Sequence, residues 1–160
     1  MIMQKDALNN VNISEELVLI TPEELKQKYP LSRNDLHAIT QSRQTISEIV
    51  QRRDPRLLVV CGPCSIHDVD VALDYAKRLK VLASELSDSL YIVMRVYFEK
   101  PRTTVGWKGL ISDPFMDGSF EMEKGLHIAR KLLTELVQLG LPLATEALDP
   151  NNPQYLGDLR

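Results

Sequence analysis

The chain has 160 residues, of which 44% are hydrophobic and 26% are charged, a balance typical of a folded globular domain and not of a disordered segment. The formal net charge is only -3 and the basic residues are spread along the sequence, which argues against a nucleic-acid partner bound to a broad basic face. The sequence has neither the apolar run of a membrane span nor the features of a signal peptide, so it predicts a cytoplasmic protein without a membrane partner.

Two helices are predicted near the start of the chain. Thr21 is the expected N-cap of the first helix, Glu24 is placed to complete a capping box, and Pro30 ends the element. Ser32 and Asp35 repeat this pattern ahead of a longer run of apolar residues at helical spacing. The residues before these helices show no helical period, so we interpret them as an extension outside the main domain.

Strands and helices alternate in the rest of the chain. Short apolar runs predict strands at 57–61, 91–97 and 143–147, the first of them closed by Gly62-Pro63. Two amphipathic helices are predicted from the apolar stripes Val71, Leu73, Ala76, Leu79, Leu82, Ala83, Leu86 and Leu126, Ile128, Leu132, Leu133, Leu136, Val137. This order predicts an α/β fold of parallel β-α-β units.

Polar side chains follow each predicted strand, at the edge where parallel α/β folds bind ligands. Four cations fall within fourteen residues around the end of the second strand: Arg95, Lys100, Arg102 and Lys108. Guanidinium groups bind phosphate or carboxylate bidentately and lysine adds a point charge, which favours an anion site over a solvated charged loop. Arg95 supports this interpretation, because a cation inside an apolar strand needs a partner or a ligand to offset its desolvation.

Cys61 and Cys64 are the only cysteines, and their spacing fits a redox pair, half of a zinc site, or one functional thiol beside a structural one. Cys61 is assigned to the core of the first strand. Cys64 lies where a thiolate can ligate a metal, although the residue types alone favour an inert buried thiol. Glu146, near the end of the third strand, is expected either to orient a water or a cation or to form a structural ion pair. Glycine-rich nucleotide and dinucleotide motifs are absent from the sequence.

Two stretches carry a specific resemblance to a known family. Residues 57–68, LLVVCGPCSIHD, and residues 93–110, VMRVYFEKPRTTVGWKGL, closely resemble the first type of microbial 3-deoxy-D-arabino-heptulosonate 7-phosphate (DAHP) synthase. Matches such as Asp113-Pro114 and Leu141-Pro142 extend the resemblance over essentially the whole chain. The opening residues 3–11 are most similar to the tyrosine-inhibited isoenzyme of that family.

The resemblance implies a (β/α)8 barrel with an N-terminal extension and an aldol-like condensation of phosphoenolpyruvate with erythrose 4-phosphate that releases phosphate. It also implies a divalent metal of the Mn, Fe, Co or Zn class with Cys64 as a ligand, which reverses the preference for an inert thiol. Arg95 and Lys100 would hold phosphoenolpyruvate and serve catalysis, with Lys108 and Glu146 close by.

By the same resemblance, Lys100 and the residues after it, Pro101, Arg102 and Thr103, would bind erythrose 4-phosphate. Asn10, Pro150 and Gln154 become candidate contacts for an aromatic inhibitor, expected to be tyrosine. Residues 1–53 would supply the regulatory and subunit contacts of a homodimer or homotetramer. Residues 54–160 would form the first strands and helices of the barrel.

A complete barrel of this class needs about 250 residues and eight strands. The chain supplies three predicted strands, so the other metal ligands, a histidine, a glutamate and an aspartate, are expected outside it. We therefore expect a synthase seen in part, an inactive remnant of one, or another phosphosugar aldolase of the same barrel class. The chain alone is expected to be inactive and, with an unpaired strand edge, only marginally stable.

Overall fold

The computed structural model describes residues 18–100 and 105–160. The elements in these two ranges are, in chain order, α1 Pro22–Lys28, α2 Arg33–Val50, β1 Leu57–Cys61, α3 Val69–Glu85, β2 Leu90–Arg95, α4 Met122–Gln138, β3 Leu143–Ala144, α5 Asn152–Leu156 and a 3₁₀ helix at Gly157–Leu159. Every helix and strand predicted from the sequence is present. None of the described helices is long and apolar enough to cross a lipid bilayer.

The three strands form one parallel sheet in the order β1-β2-β3. β1 pairs along its whole length with β2, whereas β3 pairs only with Met94 and Arg95 at the end of β2. The predicted α/β class with parallel β-α-β units is confirmed. Because parallel strands all end at the same edge of their sheet, the three loops that follow them lie side by side.

Both N-terminal helices begin at the predicted capping boxes. The Thr21 hydroxyl accepts a hydrogen bond from the Glu24 N–H at 3.3 Å, and the Glu24 carboxylate accepts one from the Thr21 N–H at 3.0 Å. Ser32 and Asp35 make the equivalent pair of bonds at 3.1 and 2.8 Å. These bonds satisfy N–H groups that have no partner inside the helix, so the local sequence alone determines both helix starts.

The predicted length of the third strand is wrong. The pattern predicts a strand over 143–147, but β3 ends at Ala144. Beyond it, the N–H groups of Leu148 and Asp149 donate to the side chain of Glu99 instead of to another strand. The segment after β3 is therefore held by a side chain and not by strand pairing. β2 likewise ends at Arg95, two residues before the predicted end.

The predicted apolar stripe of α3 is also partly wrong. Val71 and Leu82 are 61% and 45% exposed, respectively. The helix buries Ala76 and Leu79 of the predicted stripe, together with Ala72, which the stripe did not include. The buried face of α3 is therefore narrower than the predicted stripe.

One hydrophobic cluster joins the sheet to the helices, and it includes residues of α1 and α2 as well as α3 and α4. Leu25 of α1 is fully buried in it and Ile39 of α2 is nearly so. The approach of α4 to the segment before it depends on Gly125, since a Cβ there would lie 2.1 Å from the Ile111 carbonyl oxygen. On β1, Leu57 and Val60 remain exposed, as expected for an edge strand whose sheet is open.

Candidate active site

The segment after β1 lies directly against Arg95 at the end of β2. Arg95 Nε donates to the Pro63 carbonyl at 3.0 Å, and Nη2 donates to the Gly62 carbonyl at 2.8 Å. Gly62 has a φ of +156°, and a Cβ on it would lie 2.5 Å from the Arg95 carbonyl oxygen, so this close approach requires glycine. The Arg95 guanidinium also lies 5.2 Å from the centre of the Tyr97 ring. Arg95 thus has the partners that a cation in an apolar strand needs, and they are carbonyl groups and a ring.

Cys64 lies beside Lys100. The Lys100 ammonium is 3.1 Å from the Cys64 sulfur and 3.4 Å from its carbonyl oxygen. Its hydrogen bond and positive charge lower the pKa of the Cys64 thiol, and Arg95 adds a smaller effect in the same direction, while Glu146 opposes it. Cys64 is exposed. The inert buried thiol is therefore excluded, and the geometry favours a thiolate at this position.

The lowered pKa predicts selective alkylation of Cys64. In the metal-free chain, iodoacetamide at neutral pH should modify Cys64 faster than the half-buried Cys61, because the thiolate is the nucleophile. Replacing Lys100 by methionine should raise the pKa of Cys64 and slow this reaction. Peptide mass spectrometry over a pH series measures both rates. Lys131→Met, on the exposed side of α4, should leave the profile unchanged, and an equal profile in the Lys100 variant would contradict the assignment.

Lys108 and Glu146 lie in the loops that border this group. The Lys108 carbonyl accepts a hydrogen bond from the Lys100 N–H at 3.2 Å, so the second loop returns toward its own beginning. Glu146 is exposed after β3, close enough for its charge to raise the pKa of Cys64. The structure thus brings together Cys64, Arg95 and Lys100, with Glu146 nearby. Pro101, Arg102 and Thr103 lie outside the described residues.

Two further residues of this region were missed by the sequence analysis. Glu99 is buried and accepts hydrogen bonds from two N–H groups of the loop after β3. Tyr97 packs its ring against Arg95 and accepts a hydrogen bond from the Ile66 N–H through its carbonyl at 2.8 Å. The available signal for Glu99 was an acidic residue shortly after the apolar second strand, next to the buried Phe98, a position where a buried carboxylate needs N–H donors.

A metal would find only part of a site in the described ranges. No group of three or more histidine, cysteine, aspartate or glutamate side chains there is arranged to hold an ion. Cys64 itself fits the role of one ligand, since it is exposed and has a lowered pKa, and metals bind the thiolate. Any complete site would need ligands from outside these ranges.

The predicted effector residues are only partly visible. Pro150 and Gln154 are both exposed, Pro150 just before α5 and Gln154 within it, and Asn10 lies outside the described residues. The hydroxyl of Tyr155 in α5 donates to the Ile20 carbonyl at 2.9 Å. The segment just before α1 therefore lies against α5, the helix that carries Gln154. The inhibitor contacts themselves stay a prediction.

Comparison with known proteins agrees with this geometry. The DAHP synthetase I family profile matches residues 25–160. The Tyr-sensitive phospho-2-dehydro-3-deoxyheptonate aldolase of Escherichia coli K12 is 73% identical over 157 residues, which cover 98% of this chain and 44% of that protein. The Phe-sensitive enzyme of the same strain is 54% identical over 151 residues, 94% of this chain and 43% of the relative. The predicted resemblance to the tyrosine-inhibited isoenzyme is confirmed.

A solved structure supports the same assignment. The phospho-2-dehydro-3-deoxyheptonate aldolase of Francisella tularensis SCHU S4 superposes with a TM-score of 0.89 at 49% sequence identity. The match covers 92% of this chain and 43% of that one. The chain thus spans less than half the length of the relatives it matches. With the profile match over residues 25–160 and these identities, the chain belongs to the DAHP synthetase I family.

Proposed function

We propose that the chain is the N-terminal, substrate-binding part of an enzyme that condenses phosphoenolpyruvate with erythrose 4-phosphate to form DAHP and phosphate. The observation that carries this proposal is the grouping of Arg95, Lys100 and Cys64 at the carboxyl ends of parallel strands. Two cations beside a thiolate suit an anionic substrate and a metal ligand in one small region. The names of the relatives, aldolases of this product class, point to the same chemistry.

In the proposed reaction, C3 of the enol phosphate attacks the aldehyde carbon, and the new C–C bond leaves positive charge at C2. Water then adds at C2, and phosphate is lost. Arg95 and Lys100 hold the anionic groups of phosphoenolpyruvate and orient its C3 toward the aldehyde. Lys108 and Glu146 border the same site, and Pro101, Arg102 and Thr103 would hold the phosphosugar. A divalent metal bound in part by Cys64 would supply a Lewis acid for the aldehyde oxygen.

We further propose that the three-stranded sheet is the beginning of a (β/α)8 barrel. Its parallel order, with a helix between successive strands, supports this, as does the superposition on a family member that is more than twice as long. The division into an extension, 1–53, and the first barrel units, 54–160, accompanies this proposal. Tyrosine is the proposed inhibitor, because the identity is higher to the Tyr-sensitive than to the Phe-sensitive relative. The homo-oligomer stays a prediction.

The test is a completed enzyme, made by joining residues 1–160 to the remaining C-terminal part of the E. coli Tyr-sensitive relative. We expect it to form DAHP and release phosphate in equal amounts when both substrates and a divalent metal are supplied. The C-terminal part alone is the control and should be inactive. A folded completed enzyme that forms no product would refute the proposal, and full activity in the presence of millimolar tyrosine would refute the inhibitor assignment.

Replacing Cys64 by serine in the completed enzyme should lower metal-dependent turnover at least about 100-fold. Loss of a residue that only hydrogen-bonds to a metal ligand already weakens metal binding about 10- to 100-fold, and loss of the ligand itself should have at least the upper effect. Metal content of the purified protein, measured by mass spectrometry, should fall in parallel. Cys61→Ala is the matched control, since that thiol lies in β1 and packs against the core. Unchanged metal content in Cys64→Ser would remove the residue from the ligand set.

A further inference from the structure

Glu99 stands between the two loops that carry the proposed site. Glu99 is only 9% exposed. One carboxylate oxygen accepts from the Leu148 N–H at 3.2 Å and the other from the Asp149 N–H at 3.1 Å. Both acceptor atoms of a buried charge are therefore satisfied by the backbone of a single segment, which begins two residues after Glu146.

This contact replaces the sheet at the point where the sheet ends. β3 stops at Ala144, and the last ladder contacts of β2 are at Met94 and Arg95. The Val96 N–H still donates to the Ala144 carbonyl at 2.8 Å, and beyond that bond the side chain of Glu99 connects the two segments. Because Glu99 immediately precedes Lys100, the two hydrogen bonds act next to the backbone that carries the Lys100 side chain.

We propose that Glu99 is a positioning residue, whose carboxylate sets the loop bearing Glu146 at a defined distance from Lys100. The inference rests on the proposed function, in which Lys100 holds phosphoenolpyruvate and Glu146 borders the site. Lys100 is also held by its N–H bond to the Lys108 carbonyl at 3.2 Å and by its ammonium contact with Cys64. Neither of these contacts reaches the loop after β3, and Glu99 supplies that connection.

The role requires a carboxylate. Two N–H groups point at one side chain, and a carboxylate offers an acceptor to each. Glutamine has almost the same shape but presents one oxygen and one NH2 group, so one of the two N–H groups would face a donor. A displacement of the loop by about 1 Å would be enough to lower the rate about 100-fold, since reacting groups must be held in close alignment.

The experiment compares Glu99→Gln and Glu99→Ala in the completed enzyme with Glu85→Gln. Glu85 is an exposed carboxylate at the last position of α3, which leads into the start of β2, whereas the site loops follow the ends of the strands; its replacement makes the same change in charge. The measurements are kcat and the KM for each substrate per folded enzyme, and hydrogen exchange of the Leu148 and Asp149 amides. We expect kcat to fall about 10- to 100-fold in the Glu99 variants with smaller changes in KM, and both amides to exchange faster.

The alanine variant should be more severe than the glutamine variant, because glutamine keeps one acceptor. Unchanged kcat per folded enzyme with a lowered Tm would mean that Glu99 only stabilises the fold, and this would overturn the proposal. Unchanged amide exchange would overturn it as well. Failure of the function itself looks different: the unsubstituted completed enzyme would then be inactive, whereas failure of the positioning role leaves that enzyme and the Glu99 variants equally active.

Discussion

Replacing Asp158 by alanine is expected to lower the free energy of unfolding by about 3 kcal/mol, because it removes the counter-charge of a buried arginine. Arg130 on α4 is 1% exposed, and its two terminal nitrogens donate to the Asp158 carboxylate at 2.8 and 2.9 Å. The value lies at the low end for buried pairs because the Asp158 side chain is 31% exposed. Urea unfolding of the completed enzyme with and without the substitution, followed by circular dichroism, measures the change.

Replacing Arg130 and Asp158 together should lower the free energy of unfolding by less than replacing Asp158 alone. In Arg130→Met with Asp158→Leu, no unpaired charge stays buried, so the double variant should be more stable than Asp158→Ala alone. The control is the exposed ion pair Arg78 with Asp74, whose loss should change stability by less than about 1 kcal/mol. An Asp158→Ala chain as stable as the unsubstituted one would show that Arg130 is held by its carbonyl partners, Tyr155 and Tyr29, without the carboxylate.

The same pair predicts a dependence of stability on acid pH. Burial by itself raises the pKa of Asp158, but the hydrogen bonds and charge of Arg130 outweigh burial and lower it below the ordinary value of 3.8. The stabilisation is therefore complete above that ordinary value and is lost as the pH falls through the lower folded-state pKa. The Asp158→Ala variant should lack this part of the acid unfolding transition.

Local signals in the sequence were enough to locate the elements. The capping boxes at Thr21 and Ser32 depend on residues three positions apart, so the chain needs no distant contact to form them. The bond between Asp149 and Glu99, beyond the end of β3, joins residues about 50 positions apart, and no local pattern reveals such a partner. Arg130 left a signal that was not used: it lies four residues after Leu126 and three before Leu133, on the buried stripe of α4.

In the candidate site too, features set by neighbouring residues could be predicted from the sequence, whereas contacts between distant residues could not. Arg95 was recognisable as a cation inside an apolar strand, and the structure gives it carbonyl partners after β1. The contact between Lys100 and Cys64 was not derivable, because it joins loops after different strands and depends on the register of β1 against β2. The resemblance of the motifs supplied the expected role of Cys64 as a metal ligand, which stays a prediction, and the structure adds that this thiol is exposed and has a lowered pKa.

Replacing Lys100 by methionine in the completed enzyme is expected to lower kcat/KM for phosphoenolpyruvate at least about 1000-fold. Loss of one preorganised donor to developing charge costs about 100- to 1000-fold in rate. The variant would also lose the contacts of Lys100 with the anionic substrate and with Cys64, so kcat should fall and KM should rise. Steady-state rates with each substrate varied in turn measure the two effects separately.

Lys100→Arg distinguishes charge from geometry at this position. Arginine keeps the positive charge but replaces a compact ammonium by a planar group that does not fit the same 3.1 Å contact with the Cys64 sulfur. If charge alone mattered, this variant would recover most of the activity. We expect the kcat of Lys100→Arg to stay more than about 10-fold below that of the unsubstituted enzyme, while its KM changes less. Arginine can still bind an anion, but it would not orient the reacting carbon in the same way. Recovery of full kcat in Lys100→Arg would assign Lys100 to binding alone.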